Sequence, residues 1–189
     1  YHSYWNTYIH PWGDGSLPDE PDLTTLTEIG QEMARYNGFT VGTGFATIGY
    51  GVNGDAVDWT YGDQDIISYV PEVGSTSQGF WPPESDVVDL CLDQVHSNKI
   101  FAFVSGSDII MHSYELSQDE IIPGDNLELS ILIQNRGLSA SETDIDVSVH
   151  PLNDFLSLGT DSYTISEMDA RDSDDFSILI DVADNTPIG

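Results

Sequence analysis

Apolar residues change their spacing near Gly106, and this change constrains the fold more than any other feature of the chain. Before it they recur at helical intervals, and after it they alternate. Leu23, Leu26, Ile29, Met33 and Tyr36 predict an amphipathic helix. Asp19, Glu20 and Asp22 put negative charge at its start, and Gly38 follows as a stop. Phe39 to Val41 reads as a short strand, and Asp65 to Pro71 as an apolar strand ending at Glu72. Pro82-Pro83 opens a second helix, from about Glu84 to Val104, whose core face carries Val87, Val88, Cys91, Leu92, Val95 and Phe101. Gly42, Gly44, Gly49, Gly51 and Gly54 mark residues 42–58 as a long loop, and a loop this long in a compact domain usually carries function.

From Leu127 to Ile133, Thr143 to Val149 and Phe176 to Val182 the pattern alternates, with Asn135-Arg136-Gly137 as a turn. The reading is therefore two domains: an α/β piece over residues 1–104 and a small all-β sandwich over residues 105–189. Pro187-Ile188-Gly189 is expected to turn into a further strand, which makes the second domain truncated at its end. The chain also starts at Tyr1, without Met, and is expected to be a piece of a longer protein.

Charge narrows the partners. Thirty-three Asp and Glu stand against 4 Lys and Arg, for a formal net charge of -29. A polyanion needs Lys and Arg to neutralise its phosphates, so nucleic acid is excluded, and an anionic membrane surface with it. No run of about 18 apolar residues exists to span a bilayer. At molar salt the Debye length is about 3 Å and carboxylate repulsion is screened. The expectation is a secreted or cell-surface protein of a high-salt environment. Cys91 is alone, so no internal disulfide framework exists, and its place on an apolar helix face predicts a core residue.

Two residues carry candidate chemistry by position. Glu72 ends a strand, and sites in open α/β sheets lie at the carboxyl ends of strands, where a carboxylate suits general-base work. His2 stands beside Tyr4 and Trp5 at a strand end and is a candidate metal ligand. His112 and Glu115 make a His-x-x-Glu spacing, but in a strand residues three apart point to opposite faces. Asp169, Asp172, Asp174 and Asp175 read as solvated acidic surface rather than a calcium loop, lacking a Gly at the bend and a downstream Glu.

Several landmarks recur together. They are His2-Ser3-Tyr4, Pro11-Trp12-Gly13, Tyr50 nine residues before Trp59, Glu72 thirteen after it, and Gly79-Phe80 with Pro82-Pro83. This set resembles the zinc metallocarboxypeptidase family of carboxypeptidases A, B and T, over the C-terminal half of its mixed-sheet catalytic domain. The resemblance implies one Zn2+ with His2 as a ligand and Glu72 as the base. It implies Ser3 and Tyr4 in the substrate cleft, joined by a non-proline cis peptide, and Tyr50 as the tyrosine that closes over the substrate's terminal carboxylate. Val57, two before Trp59, matches the bottom of the specificity pocket, and Asp55, four before it, resembles the T-type enzymes. Val57 implies a hydrophobic C-terminal residue, and Asp55 leaves a basic one open.

The family's His-x-x-Glu pair is absent upstream of His2, and Arg35, Arg136 and Arg171 are not placed as the family's substrate-binding arginines. The remaining ligands are expected upstream of this chain, and the chain alone is expected to be inactive. The resemblance thus implies part of a secreted enzyme acting on peptide or protein C-termini. The alternative is a catalytically inactive carboxypeptidase-like protein that binds peptides or surfaces. Residues 106–189 resemble, by strand pattern only, immunoglobulin-like accessory modules.

Overall fold

The computed structural model describes residues 1–187. The chain forms two compact units, one over Tyr1–Ala102 and the other from Phe103 onward.

In the first unit, β1 (Thr7–Ile9) lies at the centre of a three-stranded sheet, parallel to β2 (Thr40–Gly42) and antiparallel to β3 (Val70–Glu72). All three residues of β1 are buried, as a strand with neighbours on both edges and both faces must be. Helix α1 (Asp22–Met33) turns Thr25, Leu26, Ile29, Gly30 and Met33 inward, the single face that helical spacing predicts. Gly30 is needed there because a Cβ would collide with Val41 on β2. Gly38 has φ +67° and ends the helical segment, so Tyr36 falls beyond α1 and is exposed.

The residues expected as one long loop, 42–58, contain the helix α2 (Gly44–Thr47) and the start of a second, α3 (Ala56–Gln64). Both carry N-caps: Thr43 accepts from the Ala46 N–H, and Asp55 from the Asp58 N–H. Only Val57 of α3 is buried, so the helix has no periodic signature in sequence. The strand expected from Asp65 is shorter than the apolar run. Asp65 ends α3 in the left-handed conformation, and the Ile66 N–H still donates to the Thr60 carbonyl. Asp65 and Ile66 are thus spent on finishing α3, Ser68 bonds back to it, and the strand starts at Val70.

The single helix expected over Glu84–Val104 is also corrected. A 3-10 turn over Glu84–Asp86 leads into α4 (Val87–Leu92), and α5 (Val95–Val104) follows a break. The cause lies at the break, where Asn37 donates through Nδ2 to the Asp93 carbonyl and to the Tyr8 hydroxyl. The expected core face fails as well, because Val87, Val88, Leu92, Val95 and Phe101 are exposed, as is Cys91. The apolar face exists, but nothing among the described residues covers it.

The second unit is all β. A four-stranded sheet runs β4 (Ile109–Leu116), β5 (Asn126–Asn135), β9 (Ser173–Val182), β7 (Leu156–Leu158), and β6 (Ile145–Ser148) pairs with β8 (Ser162–Ile165). Strand β9 alternates strictly from Asp175 to Val182 between exposed and buried residues. Ile131, Ile133, Phe176 and Ile178 from the larger sheet share one core with Ile165 of β8 and Met168, and Ile145 and Val147 of β6 pack on it. Tyr163 stacks on Phe176 with ring centroids 4.4 Å apart. The buried Asn135 joins three backbone segments. Its Oδ1 accepts from the Asp108 and Gly137 N–H groups, and its Nδ2 donates to the carbonyls of Ser139, Met168 and Asp169. Arg136 closes an ion pair on Asp108 at 2.7 Å. Of the turn expected at residues 187–189, Ile188 and Gly189 lie outside the described residues. No helix among the described residues is long and apolar enough to cross a membrane.

Candidate functional site

The site forms where the chain first meets β3. The His2 N–H donates to the Pro71 carbonyl and the Val73 N–H donates to the His2 carbonyl, both at 2.8 Å. These bonds make a parallel bridge between His2 and Glu72. Backbone pairing therefore sets the two side chains side by side, with Nδ1 of His2 3.3 Å from Oε1 and 3.4 Å from Oε2 of Glu72. The Glu72 side chain is 12% exposed and the His2 side chain 65% exposed. A shielded carboxylate thus faces an open imidazole, whose Nδ1 also lies 2.9 Å from the Ser3 carbonyl oxygen.

Gly74, two residues past Glu72, completes the turn. Its φ of +98° is open to Gly without strain, and its carbonyl accepts from both the Trp5 and Asn6 N–H groups. This pins the segment after His2 to the end of β3. The Ser3–Tyr4 peptide is cis. Tyr4 stacks on Trp5 with centroids 5.5 Å apart and meets Phe80 edge-on at 4.9 Å. His2, Ser3, Tyr4, Glu72 and Phe80 are thereby gathered around one strand end.

The other expected residues sit on the α2–α3 segment. Tyr50 is 55% exposed, between Gly49 at φ +88° and Gly51, whose missing Cβ admits the Gly13 carbonyl. Val57 is buried in α3, and its carbonyl accepts from Thr60 Oγ1 at 3.0 Å and Ser68 Oγ at 3.4 Å. Ser68 lies just upstream of β3, so these bonds tie α3 to the strand that carries Glu72. Asp55 serves as the α3 N-cap, with Oδ1 2.8 Å from the Asp58 nitrogen. Asp58 accepts from the Gly13 N–H at 2.8 Å. Burial pushes the Asp58 carboxyl above the ordinary aspartate value; the Gly13 bond opposes this, and the charges of Asp55 and Asp14 add to it. His10, buried at the end of β1, is held below the usual imidazole value by burial, against a bond from Nδ1 to the Pro11 carbonyl.

Sequence reasoning missed two residues of the surrounding frame. Tyr8 and Gln94 are both buried, and the Tyr8 hydroxyl donates to Gln94 Oε1 at 3.0 Å while accepting from Asn37. Burial raises the Tyr8 hydroxyl above its ordinary value, which keeps it a donor. An amide in a run read as a polar helix face carries no signal of such a role.

A catalytic zinc takes three protein ligands and keeps one position open. His2 and Glu72 do not make that set, and among the described residues no group of three or more His, Cys, Asp and Glu is placed to hold a metal ion. The chain's own donors therefore do not make a complete zinc centre. The family model described as zinc carboxypeptidase matches residues 1–97. No curated protein matches the chain.

Proposed function

The chain belongs to the zinc carboxypeptidase family, and from that premise we propose that it is part of a secreted metallocarboxypeptidase that removes C-terminal residues from peptides. The observation that carries the proposal is the approach of Glu72 to His2, 3.3 Å apart across a parallel bridge. In this reading His2 supplies one ligand to a zinc ion whose other ligands come from outside these residues. The metal's contribution, when bound, is Lewis-acid polarisation. Glu72 takes a proton from the attacking water and returns it to the departing amine. Ser3 and Tyr4 line the cleft, and Tyr50 closes over the terminal carboxylate on a glycine-flanked loop. Val57 sits at the bottom of the specificity pocket and favours a hydrophobic C-terminal residue, and Asp55 leaves a basic one open.

The all-β unit is read as an immunoglobulin-like accessory module. The formal charge of -29 supports secretion into a salty environment, where carboxylate repulsion is screened. The test is equilibrium dialysis against zinc, with hydrolysis of benzoyl-glycyl-phenylalanine. The chain alone is expected to hold zinc weakly and to release no phenylalanine. The protein extended through its upstream coding sequence is expected to bind one zinc and to turn over. Tight stoichiometric zinc with turnover in the chain alone overturns the shared-site reading. An extended protein that binds no zinc overturns the enzyme reading in favour of peptide binding.

A further inference from the structure

Asn is followed by Gly at two places in the chain, Asn37-Gly38 and Asn53-Gly54, and the fold treats the two pairs oppositely. Asn37 is held at both ends of its amide. Its Nδ2 donates to the Tyr8 hydroxyl at 2.7 Å and to the Asp93 carbonyl at 3.1 Å, and its Oδ1 accepts from the Phe39 N–H at 3.1 Å. The next N–H, that of Gly38, donates to the Ala34 carbonyl at 2.9 Å.

Asn53 and Gly54 have none of this. Both are exposed, and neither the Asn53 side chain nor the Gly54 N–H has a hydrogen-bond partner among the described residues. A Cβ placed on Gly54 would meet nothing within 4 Å, so no neighbour shields the amide nitrogen. Covalent connectivity holds that nitrogen close to the Asn53 side-chain carbon, and Gly adds no Cβ to obstruct it.

We propose that Asn53-Gly54 is a site of self-modification, where the Asn53 amide is lost and the backbone is rerouted through its side chain. The Gly54 nitrogen attacks Cγ of Asn53, so an N–Cγ bond forms and the Cγ–Nδ2 bond breaks. The Gly54 amide proton leaves with Nδ2 as ammonia, and a five-membered succinimide remains. Water then adds to one of the two ring carbonyls and reopens the ring, as aspartate or as isoaspartate. The step needs water and no metal.

Isoaspartate adds one methylene to the main chain, and the segment has little room for it. The Val52 N–H donates to the Gly13 carbonyl at 2.8 Å, and Asp55 caps α3 through the Asp58 N–H at 2.8 Å. Asn53 and Gly54 alone lie between these two tethers. Gly13 closes the inner side, since a Cβ there would lie 2.8 Å from Val52 Cγ2 and 3.0 Å from Asp55 Oδ2. The added length therefore displaces the segment outward, and Tyr50 with it. The new carboxylate, two residues from Asp55, adds repulsion.

The test incubates the whole chain at neutral pH, folded and in urea, and weighs its digested peptides by mass spectrometry. The Asn53 peptide is expected to gain about 1 Da at a rate that folding lowers by less than about threefold. Folding is expected to slow the Asn37 peptide by more than about tenfold. Asn53→Gln should remove the first gain, because the longer side chain closes a less favoured ring. A rate at Asn53 that folding lowers about threefold or more overturns the proposal, as does a gain at this position that survives Asn53→Gln. Equal protection of the two pairs also overturns it. In the aged chain chymotrypsin is expected to cut after Tyr50 about threefold faster than in Asn53→Asp, which carries the charge without the extra methylene. Equal cutting overturns the displacement of Tyr50.

Discussion

Glu72 and His2 are seventy residues apart in sequence, and a two-bond parallel bridge holds their side chains 3.3 Å apart. The pairing is a property of backbone register. Shifting β3 by one residue would send Glu72 to the opposite face and leave His2 beside Pro71 or Val73. Glu72→Gln keeps the shape and removes the base. In the zinc-loaded, hydrolytically competent protein it is expected to lower kcat by about 10²–10⁴-fold. Zinc affinity and far-UV circular dichroism should stay unchanged, and equal loss of metal would show a ligand role instead.

Tyr50 depends on its flanking glycines. A Cβ at Gly49 meets nothing within 4 Å, so Gly49→Ala acts through its φ of +88° alone. The expected cost is about 1–2 kcal/mol in urea unfolding of the first unit. If Tyr50 closes on substrate, the same variant raises KM in the competent protein, because the loop is displaced. Loss of stability with an unchanged KM would separate Tyr50 from binding.

Asn135 is the polar centre of the second unit. Asn135→Ala takes the side-chain acceptor from two backbone N–H groups and a donor from three carbonyls, of which Met168 and Asp169 keep the Ser141 and Asp172 N–H groups, for an expected loss on the order of 2–4 kcal/mol. Asn135→Asp keeps the acceptor but turns a second oxygen toward three carbonyls, and it should be no better than Ala. All four Trp lie in the first unit, so their fluorescence will not follow this loss. Amide hydrogen exchange along β5 and β9 measures it.

One buried and one half-buried group give opposite pH dependences. His10 titrates below its ordinary 6.5 in the folded state, so the unfolded chain binds more protons as pH falls. Its contribution to stability is complete above pH 6.5 and is lost on acidification below it. Asp58 titrates above the ordinary 3.8, so the folded state binds more protons and stability declines as pH rises through that range. His10→Phe should flatten the first slope in urea titrations between pH 5 and 7, on the order of one titrating group. Asp58→Asn, which keeps an acceptor for the Gly13 N–H, should flatten the second.

Salt separates the charge argument from the fold. With a formal charge of -29, the melting temperature is expected to rise between about 0.1 and 1 M KCl, as the Debye length shrinks from about 10 to 3 Å. A melting temperature indifferent to KCl over that range would remove the reading of the acidity as salt adaptation.

Local patterns were legible wherever one face of an element is buried by its own unit. Helix α1 shows its inward face in Leu26, Ile29 and Met33, and β9 shows its own from Phe176 to Val182. The approach of two residues on different strands leaves no periodic trace; His2 and Glu72 were singled out through spaced landmarks that lie within residues 1–97, the span matched by the zinc carboxypeptidase model. Other features were decided by contacts distant in sequence. Asn37 takes the Asp93 carbonyl and splits the last helix in two, and Ser68 bonds back to α3 and shortens β3. The buried, unpartnered Nε2 of Gln94 belongs to this second class. Sequence by itself determined which faces are apolar, because spacing along one element is enough to set that. Tertiary structure decided which faces are covered and which donors are satisfied, because both depend on what approaches from elsewhere in the chain.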